Sequence, residues 1–126
     1  MKDLLLVGGG GFLGSVARYL LGGLVLHATG APRFPWSTLF VNATGCLAIG
    51  VLAGFAERAH VLSPATRLFL ITGFLGGYTT FSTFSLQTLD LMQKGQVTLA
   101  LVNVASSVIL CLLGVWLGFL AGRAIS

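Results

Sequence analysis

Residues 76–84 read Gly-Gly-Tyr-Thr-Thr-Phe-Ser-Thr-Phe, which sets glycines, hydroxyls and aromatic rings in the middle of an apolar stretch. This composition indicates an interruption of a membrane-spanning helix, at Gly76 and Gly77. Irregular backbone at membrane depth is tolerated only where it is buried in protein or lines a watery cavity, because each unpaired amide in hydrocarbon costs several kcal/mol. Free carbonyls at such a break can hold a cation, and the positive end of the resumed helix can face an anion. The run therefore predicts an ion pathway or a binding site.

Polar side chains recur at four-residue spacing on two other apolar segments, and residues four apart lie on one face of a helix. The two stripes are Thr38, Asn42 and Cys46, and then Asn103, Ser107 and Cys111. An intramembrane asparagine is often a hydrogen bond between helices, so a purely structural role stays open. The presence of two stripes favours a polar track. We interpret the cysteines as buried, inert thiols and not as a disulfide or a metal site.

Aromatic and charged side chains could complete such a track for an anion. Phe81 and Phe84 lie three residues apart and share a helix face with Gln87. The edge of an aromatic ring carries the positive part of its quadrupole and can face an anion. Arg18 lies deep in the first apolar segment, where it either snorkels beside Tyr19 or supplies a fixed positive charge at a vestibule.

The elements that must position these residues are membrane helices. Of the 126 residues, 56% are hydrophobic and 8% charged, whereas soluble domains carry about 25% charged residues. A helix needs about 20 residues to cross about 30 Å of hydrocarbon. Four apolar stretches meet that length, at about 4–26, 35–55, 65–92 and 96–121. We therefore predict an all-α integral membrane protein whose residues 1–126 form one transmembrane domain, and we expect an oligomer because four helices enclose little space.

Glycines at four-residue spacing predict close helix packing, because small residues let backbones approach in lipid. They are Gly10 and Gly14, Gly50 and Gly54, Gly73 and Gly77, and Gly114, Gly118 and Gly122.

The charges bear on orientation and on function class. With four crossings, one side of the membrane carries four Lys or Arg residues near helix ends and the other carries two, which is a weak bias that also suits insertion in both orientations. The first set is Lys2, Arg58, Arg67 and Arg123, and the second is Arg33 and Lys94.

A dispersed net charge of +4 gives no reason to expect nucleic acid. An enzyme is disfavoured, because His27 and His60 fall in predicted loops and no base, nucleophile and acid converge.

Three motifs together resemble the CrcB/Fluc fluoride channels. They are Gly-x-x-x-Arg-Tyr at residues 14–19, Pro-Trp-Ser-Thr-Leu-Phe-Val-Asn-Ala-Thr-Gly at 35–45, and Gly-Phe-Leu-Gly-Gly-Tyr-Thr-Thr-Phe-Ser-Thr-Phe-Ser at 73–85. The resemblance covers three of the four segments in the right order. It implies four transmembrane helices with a broken third helix, assembled as an antiparallel, dual-topology homodimer in the inner (plasma) membrane. Such a protein lets fluoride leave the cell passively and so resists fluoride toxicity.

The resemblance also implies roles for individual residues. The fluoride pore would be formed by Asn42, Phe81, Phe84, Thr38, Ser107, Thr83 and Gln87. Within it, Asn42 would donate from its amide and the two phenylalanines would turn ring edges to the ion. Arg18 would line an aqueous vestibule, and backbone carbonyls of Gly76 and Thr79 from both subunits would hold a structural sodium ion. Members of the family often carry Glu where this chain has Gln87, so that negative charge is missing here.

Two alternatives remain open from the residues alone. A small dual-topology multidrug-type exporter is also built from four short helices, but it would be expected to carry a membrane-embedded carboxylate. None is visible, because Asp3, Glu57 and Asp90 all fall near predicted helix ends. A non-transporting membrane subunit would use the polar stripes only as contacts between helices.

Overall fold

A computed structural model describes residues 1–30, 33–59 and 62–125, except the side chains of residues 58 and 59. His60, predicted in a loop, and the side chain of Arg58 lie outside this described part. The described residues form helices and connections and no strand. The elements are α1 (Lys2–Thr29), α2 (Trp36–Ala59), α3 (Pro64–Arg67), the π-helical segment π1 (Leu68–Leu75), α4 (Gly76–Tyr78), α5 (Phe81–Gln93) and α6 (Val97–Ile125). The ends of the four predicted segments agree with these bounds to within about four residues.

Short turns end the helices where the sequence offers glycine. At the end of α1, Gly30 has φ 68°, and its N–H points back to the carbonyls of Leu26 and His27. Between α5 and α6, Gly95 has φ 72°, and its N–H donates to the Met92 carbonyl at 3.0 Å. Only glycine adopts positive φ without steric strain, so both positions are natural helix stops.

Among the described residues, three helices are long and apolar enough to cross a membrane. They are α1, residues Trp36–Glu57 of α2, and α6. The third apolar stretch is divided among α3, π1, α4 and α5. Large apolar side chains cover the outside of the bundle, including Phe12, Leu20, Leu112 and Trp116, as expected where the surrounding medium is lipid.

Glycines hold the helices in two tightly packed pairs, as their spacing predicts. In the α2–α6 pair, a methyl group added at Gly50 would lie 2.9 Å from the Phe119 nitrogen, and one at Gly118 would lie 3.0 Å from the Val51 nitrogen. In the pair that α1 makes with π1 and α4, a methyl group at Gly10 would lie 2.9 Å from the Phe74 nitrogen. Separations this short cannot be accommodated without moving backbone, so these contacts need glycine.

The third stretch is interrupted at Thr79 and Thr80, which are extended (φ −84°, ψ 157° and φ −151°, ψ 116°). The prediction that the interruption lies at Gly76 and Gly77 was wrong, because Gly76 is helical (φ −63°, ψ −37°). Gly77 serves packing instead, since a methyl group there would lie 2.9 Å from the Gly11 Cα. β-Branched residues such as threonine favour extended backbone, which explains why the helix ends two residues later.

Candidate functional site

A pair of hydrogen bonds fixes the interruption. The Thr80 N–H donates to Asn42 Oδ1 at 2.8 Å, and Asn42 Nδ2 donates to the Thr80 carbonyl at 3.0 Å. The Asn42 side chain therefore supplies both hydrogen-bond partners that the Thr80 peptide would have in a continuous helix. An asparagine amide has two N–H donors, so one remains for another acceptor.

A cavity of about 330 Å³ opens beside this clamp; we call it the aromatic cavity. It is lined by Asn42, Cys46, Thr79, Thr80, Phe81, Phe84, Ser107, Val108, Cys111 and Leu112. The rings of Phe81 and Phe84 have centroids 5.3 Å apart and planes inclined at 42°. Phe84 is buried, with 9% of its surface exposed, whereas Phe81 is 77% exposed at the rim. The cavity thus combines amide and hydroxyl donors with aromatic walls.

A second cavity, of about 630 Å³, lies on the α1 side of the interruption; we call it the arginine cavity. It is lined by Ser15, Arg18, Tyr19, Leu20, Gly22, Gly23, Leu26, Ser37, Thr38, Val41, Thr80, Thr83 and Gln87. Thr80 lines both cavities. Thr80, the residue that Asn42 clamps, therefore lies between the two cavities.

The electrostatics of this region favour a negative ion. The first turn of α5 lines both cavities through Phe81, Thr83 and Phe84, and the N-terminal end of a helix carries partial positive charge. Thr80 caps this end, since its hydroxyl accepts from the Thr83 N–H at 3.4 Å. Arg18 adds a full positive charge to the arginine cavity.

The predicted pore residues are brought together, but in two groups. The aromatic cavity holds Asn42, Phe81, Phe84 and Ser107, and the arginine cavity holds Arg18, Thr38, Thr83 and Gln87. Gln87, which is predicted to share a helix face with Phe81 and Phe84, lines the arginine cavity and not the aromatic cavity. Its Oε1 is buried and accepts no hydrogen bond from the described residues.

Asn103 lines neither cavity, although its spacing suggested that it continued the polar track. It is 1% exposed, and its Nδ2 donates to the Thr88 hydroxyl at 2.9 Å. That hydroxyl donates in turn to the Phe84 carbonyl at 2.8 Å. The chain of bonds ties α6 to α5 beside Phe84, which is the structural role that the sequence left open.

The two residues predicted to hold sodium differ in exposure. Gly76 is exposed, whereas Thr79 is half-buried and lines the aromatic cavity. The Thr79 N–H and hydroxyl both donate to the Leu75 carbonyl at 3.0 Å. No group of three or more His, Cys, Asp or Glu side chains gathers as a metal site in the described ranges.

Sequence reasoning missed two residues of this region. Tyr78 was given no role, but it is buried and its hydroxyl lies 2.8 Å from the Thr44 hydroxyl, which joins α4 to α2. Thr80 was not singled out, although a threonine three residues before Thr83 at a helix start fits an N-cap. Its contact with Asn42 crosses 38 positions in sequence, and no local signal predicts it.

Comparisons with known proteins agree on one family. The model of a family described as "CrcB-like protein, Camphor Resistance (CrcB)" matches residues 5–119. A protein of Rhizobium meliloti (strain 1021) named "Fluoride-specific ion channel FluC" is 52% identical over 124 residues, which cover 98% of each chain. Proteins with the same name from Methylobacillus flagellatus and Geobacter sulfurreducens are 47% and 46% identical. The match to the Methylobacillus flagellatus protein covers 94% of this chain and 93% of the relative, and the match to the Geobacter sulfurreducens protein covers 98% of each chain.

Proposed function

Because the chain belongs to the CrcB family and is similar to fluoride-specific ion channels along almost its whole length, we propose that it conducts fluoride passively and selectively and so protects the cell from fluoride. The protein is a channel of the membrane and not an enzyme. It passes through the membrane several times, and in a bacterium that membrane is the plasma membrane. The observation that carries the proposal is that Asn42, Phe81 and Phe84 line one cavity beside an interrupted helix.

Fluoride poses a specific physical problem for a pore. It is small and strongly hydrated, so a passage that removes its water must supply closely spaced donors without binding it too tightly to release. The free N–H of Asn42 is one such donor, and the Ser107 hydroxyl is a second in the same cavity. The ring edges of Phe81 and Phe84 offer weaker positive potential, which attracts the ion without trapping it. Chloride is larger, and a narrow passage with these donors disfavours it.

The route runs through both cavities. Fluoride collects in the arginine cavity, where Arg18 raises the local anion concentration. It passes Thr38 and Thr83, reaches the junction at Thr80, and enters the aromatic cavity beside Asn42. On this route the interruption between α4 and α5 serves as a broken membrane helix, whose second half directs its positive end towards the ion.

The functional unit is an antiparallel homodimer. The exposed ring of Phe81 stands at the rim of a cavity built from α2, α5 and α6 of one subunit, and a second copy would close that cavity. The weak charge bias between the two ends of the helices suits a chain that inserts both ways. Crosslinking from the inside and from the outside of liposomes tests the antiparallel arrangement. Both orientations are expected in one dimer, and a single orientation would contradict the arrangement.

A structural sodium ion fits the interruption. The Thr80 N–H, which would bond the Gly76 carbonyl in a continuous α-helix, donates to Asn42 instead. The Gly76 carbonyl is thereby left without its α-helical partner, at an exposed position where a second subunit can approach. The Gly76 and Thr79 carbonyls of two subunits would hold the ion, which would supply a positive charge between them. Replacing sodium by a large organic cation should weaken dimer association, and unchanged association would argue against the site.

The exporter alternative finds little support in the site. Among the described carboxylates, Asp90 pairs with Lys94 at 2.7 Å at an exposed helix end, and Glu57 lies 3.6 Å from Arg123. Neither lines the two cavities, so neither is placed to couple transport to protons.

Efflux from liposomes tests the function directly. Purified protein is reconstituted with internal fluoride and chloride, and valinomycin with potassium carries the compensating charge. Fast release at a fluoride electrode without release at a chloride electrode is expected. Equal release of both ions would refute selectivity, and no release from folded, dimeric protein would refute conduction by this chain alone.

A further inference from the structure

The two cysteines of the chain meet inside the aromatic cavity. Cys46 on α2 and Cys111 on α6 both line it, both are free and half-buried, and their side chains lie close enough to interact. The same cavity holds the Asn42 amide and the Phe81 ring. The thiols therefore form a pair of sulfur ligands on the proposed fluoride route.

The helices that carry this pair are closely packed. A methyl group added at Gly114 would lie 3.2 Å from the Ala43 carbonyl oxygen and 3.7 Å from the Cys46 Cβ. One turn further along, a methyl group at Gly118 would meet the backbone of Leu47 and Val51. The two helices are therefore closely packed on the turns beside Cys46 and Cys111. This packing holds the two thiols in place before any ion binds.

We propose that Cys46 and Cys111 bind a soft monovalent d10 cation, Ag⁺ or Cu⁺, between their sulfur atoms, and that the bound ion closes the fluoride route. The closure rests on the proposed function, whereas the binding does not.

The chemistry of the pair selects this class of ion. Sulfur ligands select soft ions, whereas sodium, magnesium and calcium prefer oxygen. A structural zinc site takes four ligands, and no group of three or more His, Cys, Asp or Glu side chains gathers in the described ranges. Two sulfurs suffice for a two-coordinate d10 ion.

The charge also balances for a monovalent ion. One thiol loses its proton to water and becomes a thiolate, the second stays a neutral thiol, and the metal forms a bond to each sulfur. One positive charge enters and one leaves, so the site keeps its net charge. This matters in a partly desolvated cavity, where an added net charge is costly.

Silver is the probe, in chloride-free buffer, and two readouts are taken. The first is the number of silver ions retained per subunit in detergent, measured by elemental mass spectrometry. The second is fluoride efflux from liposomes with and without silver, expressed for each variant as a ratio to its own efflux without silver. The variants are Cys46→Ser, Cys111→Ser and the double substitution, which removes every thiol because the chain has two cysteines.

Wild type should retain one silver ion per subunit and be blocked, and each single variant should need at least tenfold more silver for either effect. The double variant keeps the sulfurs of Met1 and Met92, which are both exposed, and it should neither bind tightly nor be blocked. Equal binding by wild type and a single variant would overturn the two-sulfur site, and tight binding without block would overturn the closure. If efflux is absent even without silver, the proposed function fails, and the silver count alone decides the site.

Discussion

Replacing Asn42 by alanine tests the clamp and the donor together. The substitution removes both hydrogen bonds to the Thr80 peptide, at 2.8 and 3.0 Å, and the remaining amide N–H of a residue that lines the aromatic cavity. A hydrogen bond to a charged group contributes about 1.5–3 kcal/mol, and about 1.4 kcal/mol changes a rate tenfold. Loss of the donor to fluoride alone should therefore lower fluoride efflux roughly 10- to 100-fold.

The freed Thr80 peptide adds to this effect. Each unsatisfied backbone group costs about 1–3 kcal/mol when buried, but Thr80 is half-buried and lines two cavities. Water can reach it, so we expect the lower end of that range. The clamp should loosen without unfolding the helices, and the dimer should still form.

Asn103→Ala is the matched control, because it truncates the other membrane asparagine in the same way. Asn103 bonds Thr88 and lines neither cavity, so its loss should lower thermal stability and leave fluoride selectivity intact. Efflux of both variants is measured in liposomes at equal amounts of dimeric protein. Wild-type efflux in Asn42→Ala, or an equal loss in both variants, would refute the assignment of Asn42 to the pore.

Three further predictions follow from the same geometry. Phe81→Ile should strongly reduce fluoride efflux, whereas Phe12→Ile, at a ring that is also largely exposed (69%) but lines neither cavity, should not; equal efflux in the two would remove the ring-edge argument. Gly76→Val should leave the subunit folded, because a methyl group there meets nothing closer than 3.9 Å, but it should weaken dimerisation. Gly77→Val should disrupt the fold of the subunit itself. A normal dimer of either variant would contradict the prediction made for that variant. Arg18→Gln should slow fluoride efflux severalfold at low ionic strength, and the difference from wild type should shrink as added salt screens the charge. A difference from wild type that does not depend on salt would indicate a structural role for Arg18.

Much of this architecture follows from the sequence by simple physics. Hydrophobic length located the four helical stretches, and glycine spacing identified the packed faces of α1, α2 and α6. The motif around Phe81 predicted the region of the candidate site. These signals are local, because they depend on helix periodicity and on the thickness of a membrane.

The details that the sequence did not predict depend on contacts between distant segments. The interruption was assigned to the glycines, but Gly77 packs against Gly11 and the extended residues are Thr79 and Thr80. Asn103 has the same spacing pattern as Asn42, yet one bonds a neighbouring helix and the other clamps a peptide beside a cavity. Periodicity assigns residues to a face of a helix and does not say which neighbour that face meets.

We expect the aromatic cavity to be a selective fluoride route, and a bilayer recording with opposed gradients of fluoride and chloride across the membrane checks this expectation. In wild type the current should reverse near the fluoride equilibrium potential. It should be lost or strongly reduced in Asn42→Ala and should persist in Asn103→Ala. A reversal potential that follows chloride as closely as fluoride, or a fluoride current unaffected by Asn42→Ala, would contradict it.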